Sequence, residues 1–173
     1  DLDADGDLDA VLAQNSFSPQ RETGNMDGGL GQLLLNDGTG SFEAVAPVVS
    51  GVEVPRDAKS LSVADLDRDG RPDLVFGIND GAVVSFKRTG GAEALRLRLV
   101  GGAGNPAALG ARVKIGRHIR EVGGGGGYAA QSERTLYFPL PATNAIALVR
   151  WPDGSTSEYP VAAGIDELTL TKP

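Results

Sequence analysis

The sequence predicts an all-β fold: partial β-propeller-like blades carrying Asp-rich loops, followed by a small C-terminal β-sandwich or barrel-like domain. Three observations carry this expectation. Glycine and proline, 25 and 10 of 173 residues, punctuate the whole chain, and the longest stretch free of both runs only from Arg56 to Asp69. That spacing leaves no room for a coiled coil or for a membrane helix of about 20 apolar residues. Between these breakers lie short alternating segments, the mark of strands with one buried face. Finally, the first half repeats itself with a basic period of about 50 residues, as blade and solenoid architectures do.

The repeat is clearest in two acidic windows. Asp1-Leu2-Asp3-Ala4-Asp5-Gly6-Asp7-Leu8-Asp9 matches Asp65-Leu66-Asp67-Arg68-Asp69-Gly70-Arg71-Pro72-Asp73, and Val11 continues the match to Val75. Further on, Gly31 to Leu35 aligns with Gly81 to Ser85, and Thr39-Gly40 with Thr89-Gly90. The two alignments differ in offset, which places an insertion in the first copy between Asn15 and Leu30. That insertion is polar and Gly-rich, either a specificity loop on a rigid scaffold or a surface excursion. Ser60 to Ala64 alternates ahead of the second window and reads as a strand, whereas nothing precedes the first. A chain that opens inside a repeat, without Met, is expected to be part of a longer protein, and the absence of a signal peptide carries no information.

Beyond Gly91 the repeat ends and the composition turns slightly basic. The expected division is residues 1–90, two Asp-loop blade repeats with the first truncated, and residues 91–173, a separate β domain. In the latter, Leu95 to Leu99, Arg112 to Ile115, Ile146 to Val149 and Leu168 to Thr171 alternate as strands. Trp151-Pro152-Asp153-Gly154 has Pro and Gly where a type I turn wants them, so two strands should meet there in a hairpin. The run from Gly123 to Gly127 has no Lys-Ser or Lys-Thr after it and reads as a flexible hairpin loop, not a phosphate cradle.

The formal charge of -7 resides wholly in the two acidic windows, since the acids and bases elsewhere cancel. Carboxylates this dense repel by roughly 3 kcal/mol per pair at 5 Å and an effective dielectric near 20, and a divalent cation reverses that term. Ca²⁺ suits such a loop, because it takes six to eight oxygen ligands in irregular geometry. Hard carboxylate donors and the complete absence of Cys argue against Zn²⁺ or Cu²⁺. Gly6 and Gly70 fall where the chain must turn sharply. An EF-hand is excluded: its twelfth position requires Glu, and Leu12 and Phe76 stand there on strand-like segments.

These residues resemble the calcium loop of FG-GAP/VCBS repeats, the blades of integrin-α-like β-propellers, and Asn36-Asp37-Gly38-Thr39-Gly40-Ser41-Phe42 resembles the end of a VCBS blade. The resemblance implies side-chain ligands Asp1, Asp3, Asp5 and Asp9 at one Ca²⁺ site and Asp65, Asp67, Asp69 and Asp73 at a second, with Asp7 and Arg71 coordinating through backbone carbonyls. The second half is similar to the ASPIC/UnbV module, found after such repeats in the cartilage acidic protein family and in bacterial secreted proteins. The matching residues are Gly101-Gly102, Asn105, Leu109 to Val113, Arg120-Glu121-Val122, Gly126-Gly127-Tyr128, Gln131-Ser132 and Trp151 to Gly154. Phe138-Pro139-Leu140-Pro141 departs from the family's Phe-Gly-Leu-Gly.

The implied function is a calcium-binding extracellular adhesion or recognition module, secreted, cell-surface or periplasmic, with a protein or glycan ligand. The alternative is an accessory part of a secreted carbohydrate-active enzyme whose active site lies elsewhere. No catalytic residue is expected within the chain: His118, its one histidine, sits between Arg117 and Arg120, whose charges disfavour the protonated form a general base must reach. Arg112, Lys114, Arg117 and Arg120 form a candidate basic stripe for sulfated glycans or acidic lipids, although a solvated strand face is the commoner reason for such alternation. Scattered aromatics give no nucleic-acid stacking platform, and the oligomeric state is not legible.

Overall fold

The computed structural model describes residues 1–17 and 19–173, and among these it is almost wholly β, with thirteen strands in four sheets and one helix, α1 (Pro47–Ser50). None of the four sheets closes into a barrel. No helix is long and apolar enough to cross a membrane among the described residues.

The first sheet runs β1 (Ala10–Leu12), β2 (Gln32–Asn36), β3 (Phe42–Val45), all antiparallel. The second runs β4 (Ala58–Ala64), β5 (Asp73–Ile78), β6 (Val84–Phe86). β1 and β5 each lead out of an Asp window and pair with the strand that follows, β1 at the edge of its sheet and β5 at the centre of its own, so the sequence repeat returns as a loop-and-strand unit. One apolar cluster serves this half: Val52, Val54, Ala58, Leu74 and Phe76 are buried, with Leu2, Val11, Val63 and Phe86 packed against them. Phe76 and Phe86 meet edge to face at 5.8 Å between ring centroids, a favoured arrangement for aromatic quadrupoles.

The insertion is closed at its neck by Asn15, not left as a free loop. The Asn15 amide donates to the carbonyls of Gly29 and Arg56, and its Oδ1 accepts from the N–H groups of Gly28 and Gly29. Asn tolerates the left-handed backbone found there, φ 81°, far better than a bulkier residue would. Asn15→Ala should therefore cost about 1–3 kcal/mol and raise protease sensitivity between residues 16 and 30, read by urea denaturation and limited proteolysis.

The second half is two sheets over one core. β7 (Ala94–Val100) lies between β10 (Leu136–Pro139) and, in parallel, β13 (Glu167–Thr171). The other sheet is ordered β12 (Thr156–Val161), β11 (Ala145–Arg150), β8 (Arg112–Ile115), β9 (His118–Glu121). Alternation selects the core: Leu95, Leu97, Leu99, Phe138 and Leu170 face Val113, Val149, Val161 and Trp151. The expected Trp151 to Gly154 turn joins β11 to β12, with Gly154 at φ 87° donating to the Trp151 carbonyl. The Gly123 to Gly127 run is not a hairpin, however. It crosses from β9 in one sheet to β10 in the other, because β9 pairs only with β8 and β10 only with β7.

Candidate metal centre

Each Asp window folds the same way, and the sequence dictates how. Positions four and six are left-handed in both, Ala4 and Gly6 at φ 66° and 99°, Arg68 and Gly70 at 63° and 85°. Glycine at position six adopts this without the Cβ penalty, whereas Ala4 and Arg68 carry it, so the loop must be held by other interactions. Those interactions are carboxylate caps on backbone N–H groups. Asp1 Oδ1 accepts from Gly6 and Asp65 Oδ2 from Gly70, across the turn. Asp5 accepts from Asp7 at 2.8 Å and Asp69 from Arg71 at 2.9 Å, as short Asx turns.

Asp9 and Asp73 tie each loop to its sheet. Asp9 accepts from Leu2 N at 2.5 Å and from Asn36 N at 3.0 Å; Asp73 accepts from Leu66 N at 2.9 Å and Arg88 N at 2.8 Å. One carboxylate thus fixes the loop entry and the neighbouring segment together.

Within this frame two triads of carboxylate oxygens converge, from Asp1, Asp3 and Asp9 and from Asp65, Asp67 and Asp73, each set within 4.8 Å of one another. Two sets of three hard oxygen donors at this separation fit a hard divalent cation such as Ca²⁺. Asp5 and Asp69, also expected as ligands, lie outside the triads: their carboxylates face the backbone turns, and Asp69 pairs with the Arg71 guanidinium at 3.2 Å. The Asp7 side chain points to Arg117 at 3.5 Å.

The surroundings of the loops come largely from the second half of the chain, and the sequence did not announce this. Arg120, on β9, reaches the first loop: its Nη2 donates to Asp1 Oδ2 at 2.9 Å and to the Gly6 carbonyl at 3.0 Å. It is held from behind by the Tyr137 carbonyl, which accepts from Nε at 2.9 Å, and by the Phe138 ring at 5.3 Å. Burial lowers the Arg120 pKa from its ordinary value, opposed by Asp7, Asp9 and Asp5. His118 Nδ1 lies 2.8 Å from the same Gly6 carbonyl. Arg120 is therefore removed from the expected basic stripe: it is buried against the Asp loop, while Arg112, Lys114 and Arg117 stay exposed.

The second loop is approached by Arg96 on β7, 3.7 Å from Asp65, and by Glu133, which accepts from Asp65 N at 2.9 Å. Ser132 and Glu133 also cover the free edge of β4, Ser132 Oγ accepting from Val63 N and Glu133 N donating to the Val63 carbonyl. Tyr137 donates to Glu133, and burial followed by this carboxylate raises the Tyr137 pKa well above the usual phenol range.

A repeat of short antiparallel sheets, each fed by a carboxylate loop and joined to a two-sheet β module, is the architecture the fold defines. Residues 1–76 match the FG-GAP-like repeat, and residues 101–173 match the family described as ASPIC and UnbV. The chain carries an FG-GAP-like repeat region followed by an ASPIC and UnbV domain. It is also similar to a protein named cartilage acidic protein 1 from Xenopus tropicalis, 33% identical over 113 residues, or 60% of this chain and 18% of that protein. The chain thus spans less than a fifth of that relative's length.

Proposed function

We propose that the chain is the calcium-dependent part of an extracellular recognition or adhesion protein, in which Ca²⁺ serves structure at two sites. The observation that carries this reading is the pair of Asp triads on loops of matching backbone conformation. Asp1, Asp3 and Asp9 hold one ion and Asp65, Asp67 and Asp73 the other, with further oxygens from Asp5, Asp69 and the carbonyls of Asp7 and Arg71. An extracellular setting is supported by the FG-GAP-like and ASPIC and UnbV matches and by the likeness to cartilage acidic protein 1. The same adhesion-type repeats support a non-catalytic chain with a protein or glycan ligand. His118 is engaged with the Gly6 carbonyl, an arrangement suited to docking the loop rather than to proton transfer.

Extracellular calcium modules bind with dissociation constants of about 10⁻⁴ to 10⁻³ M, so a tenfold excess adds about 1.4 kcal/mol per site. Calcium should raise the melting temperature by several degrees and EDTA should reverse it. From the sequence, the second loop, flanked by strand on both sides, is expected to bind tighter. The buried Asp1 and the Arg120 contacts anchor the first loop equally well, which removes that reason; since one arginine of the second half stands beside each loop, the charges within the loops decide. The first loop has five Asp, and the second has four with Arg68 and Arg71 inside it. Calorimetric titration should show Asp3→Ala losing the tighter site and Asp67→Ala the weaker. A melting temperature indifferent to both Ca²⁺ and EDTA overturns the calcium reading.

A further inference from the structure

Resting on that calcium reading, we infer that Arg120 and Arg96 are resident counter-cations of the two loops: they hold the first aspartate of each site when metal is absent and thereby set how weakly the sites bind Ca²⁺. The two loops are served from the same side in the same way. Asp1 and Asp65 are equivalent in the repeat, both carboxylates are nearly inaccessible to solvent, at 2% and 6%, and each has an arginine of the second half beside it. A buried carboxylate without a compensating charge is strongly destabilising, so a loop lacking both metal and arginine would not keep this geometry.

The arrangement has a consequence for affinity. A guanidinium and a calcium ion that share one carboxylate repel each other, and the coupling between them is reciprocal and unfavourable. Arg120 is fixed by Tyr137 and Phe138 of its own module, so it cannot swing away when an ion arrives without giving up those contacts. Arg96 is less committed: it lies farther from its aspartate, and Asp166 and Glu167 at 3.6 and 3.5 Å share its charge. The second half of the chain therefore supplies the repeat with a fold that persists at low calcium, in exchange for weaker binding.

The test is calorimetric titration of Ca²⁺ into the 173-residue chain, with melting curves in Ca²⁺ and in EDTA. Arg120→Gln should lower the melting temperature in EDTA while tightening binding at one site about tenfold, so that the gap between the two melting temperatures widens. Arg96→Gln should do the same to the other site by a smaller factor, and it supplies this reading independently of how well Arg120→Gln folds. Arg150→Gln, an exposed charge-matched change on β11, should leave both constants as they are. Calcium binding that is unchanged or weakened in Arg120→Gln and Arg96→Gln overturns this inference and leaves the calcium reading intact. Absence of any calcium binding by the unsubstituted chain overturns the calcium reading itself.

Discussion

Asp73→Ala is expected to lose about 3–5 kcal/mol of stability in EDTA as well as in calcium, because its carboxylate accepts two charge-assisted hydrogen bonds worth about 1.5–3 kcal/mol each. Asp73 is 1% exposed and caps Leu66 N and Arg88 N, so truncation strands two donors where water reaches poorly. Saturating calcium cannot restore either bond, and the substitution also removes a triad member. Asp73→Asn should retain about half of the loss, since an amide offers one acceptor oxygen in place of two. Asp67→Ala supplies the contrast: Asp67 is exposed, and its polar partner is Lys87 at 3.2 Å, so in EDTA its removal should cost no more than about 1 kcal/mol. Urea denaturation of the three variants in EDTA measures the difference. Equal losses in Asp73→Ala and Asp67→Ala would show that the carboxylate of Asp73 acts only through the metal.

Gly6→Ala is expected to be far more damaging than Gly70→Ala, although the two glycines hold the same place in the repeat. Both have left-handed φ, and an added Cβ costs about 1–2 kcal/mol at each. Around Gly70 there is space, the nearest outside atom being Arg96 Nε at 3.7 Å from the new carbon. At Gly6 the new carbon would lie 2.6 Å from His118 Nδ1 and 2.8 Å from Pro139 Cγ, well inside van der Waals contact. Relief requires the first loop to move off the second half, which gives up the Arg120 and His118 contacts with the Gly6 carbonyl. Gly6→Ala should then cost about 3 kcal/mol or more, with Gly70→Ala limited to the backbone penalty. The double variant Gly6→Ala/His118→Ala should recover part of the loss by removing the obstructing ring. Thermal melts of these variants decide it, and equal effects at the two glycines would remove the close approach as a cause.

What the sequence by itself determined is whatever depends on neighbours in the chain. The Asp windows are nine residues long, so the tight turn and its left-handed glycines follow from local spacing, whereas the choice of converging carboxylates does not: Asp1, Asp3 and Asp9 meet and Asp5 turns to the backbone. Alternation likewise assigned β4, β7, β8, β11 and β13, since a period of two leaves one face for the core. Even there, local rules passed over Ala4 and Arg68, whose positive φ is imposed by the caps around them and not by their own preference. The tertiary structure alone decided that Arg120 meets Gly6, 114 residues away, and that Ser132 and Glu133 close the edge of β4. Nothing near Arg120 distinguishes it from Arg112 or Lys114: all are bases on short strands, and only the packing of β9 against the first loop buries one and leaves the others in water. The same packing makes Gly6 a point of contact and Gly70 an ordinary turn. A repeat encodes its loops twice on one plan of Asp and Gly positions, but each copy meets a different surface, and that difference exists only once the chain has folded.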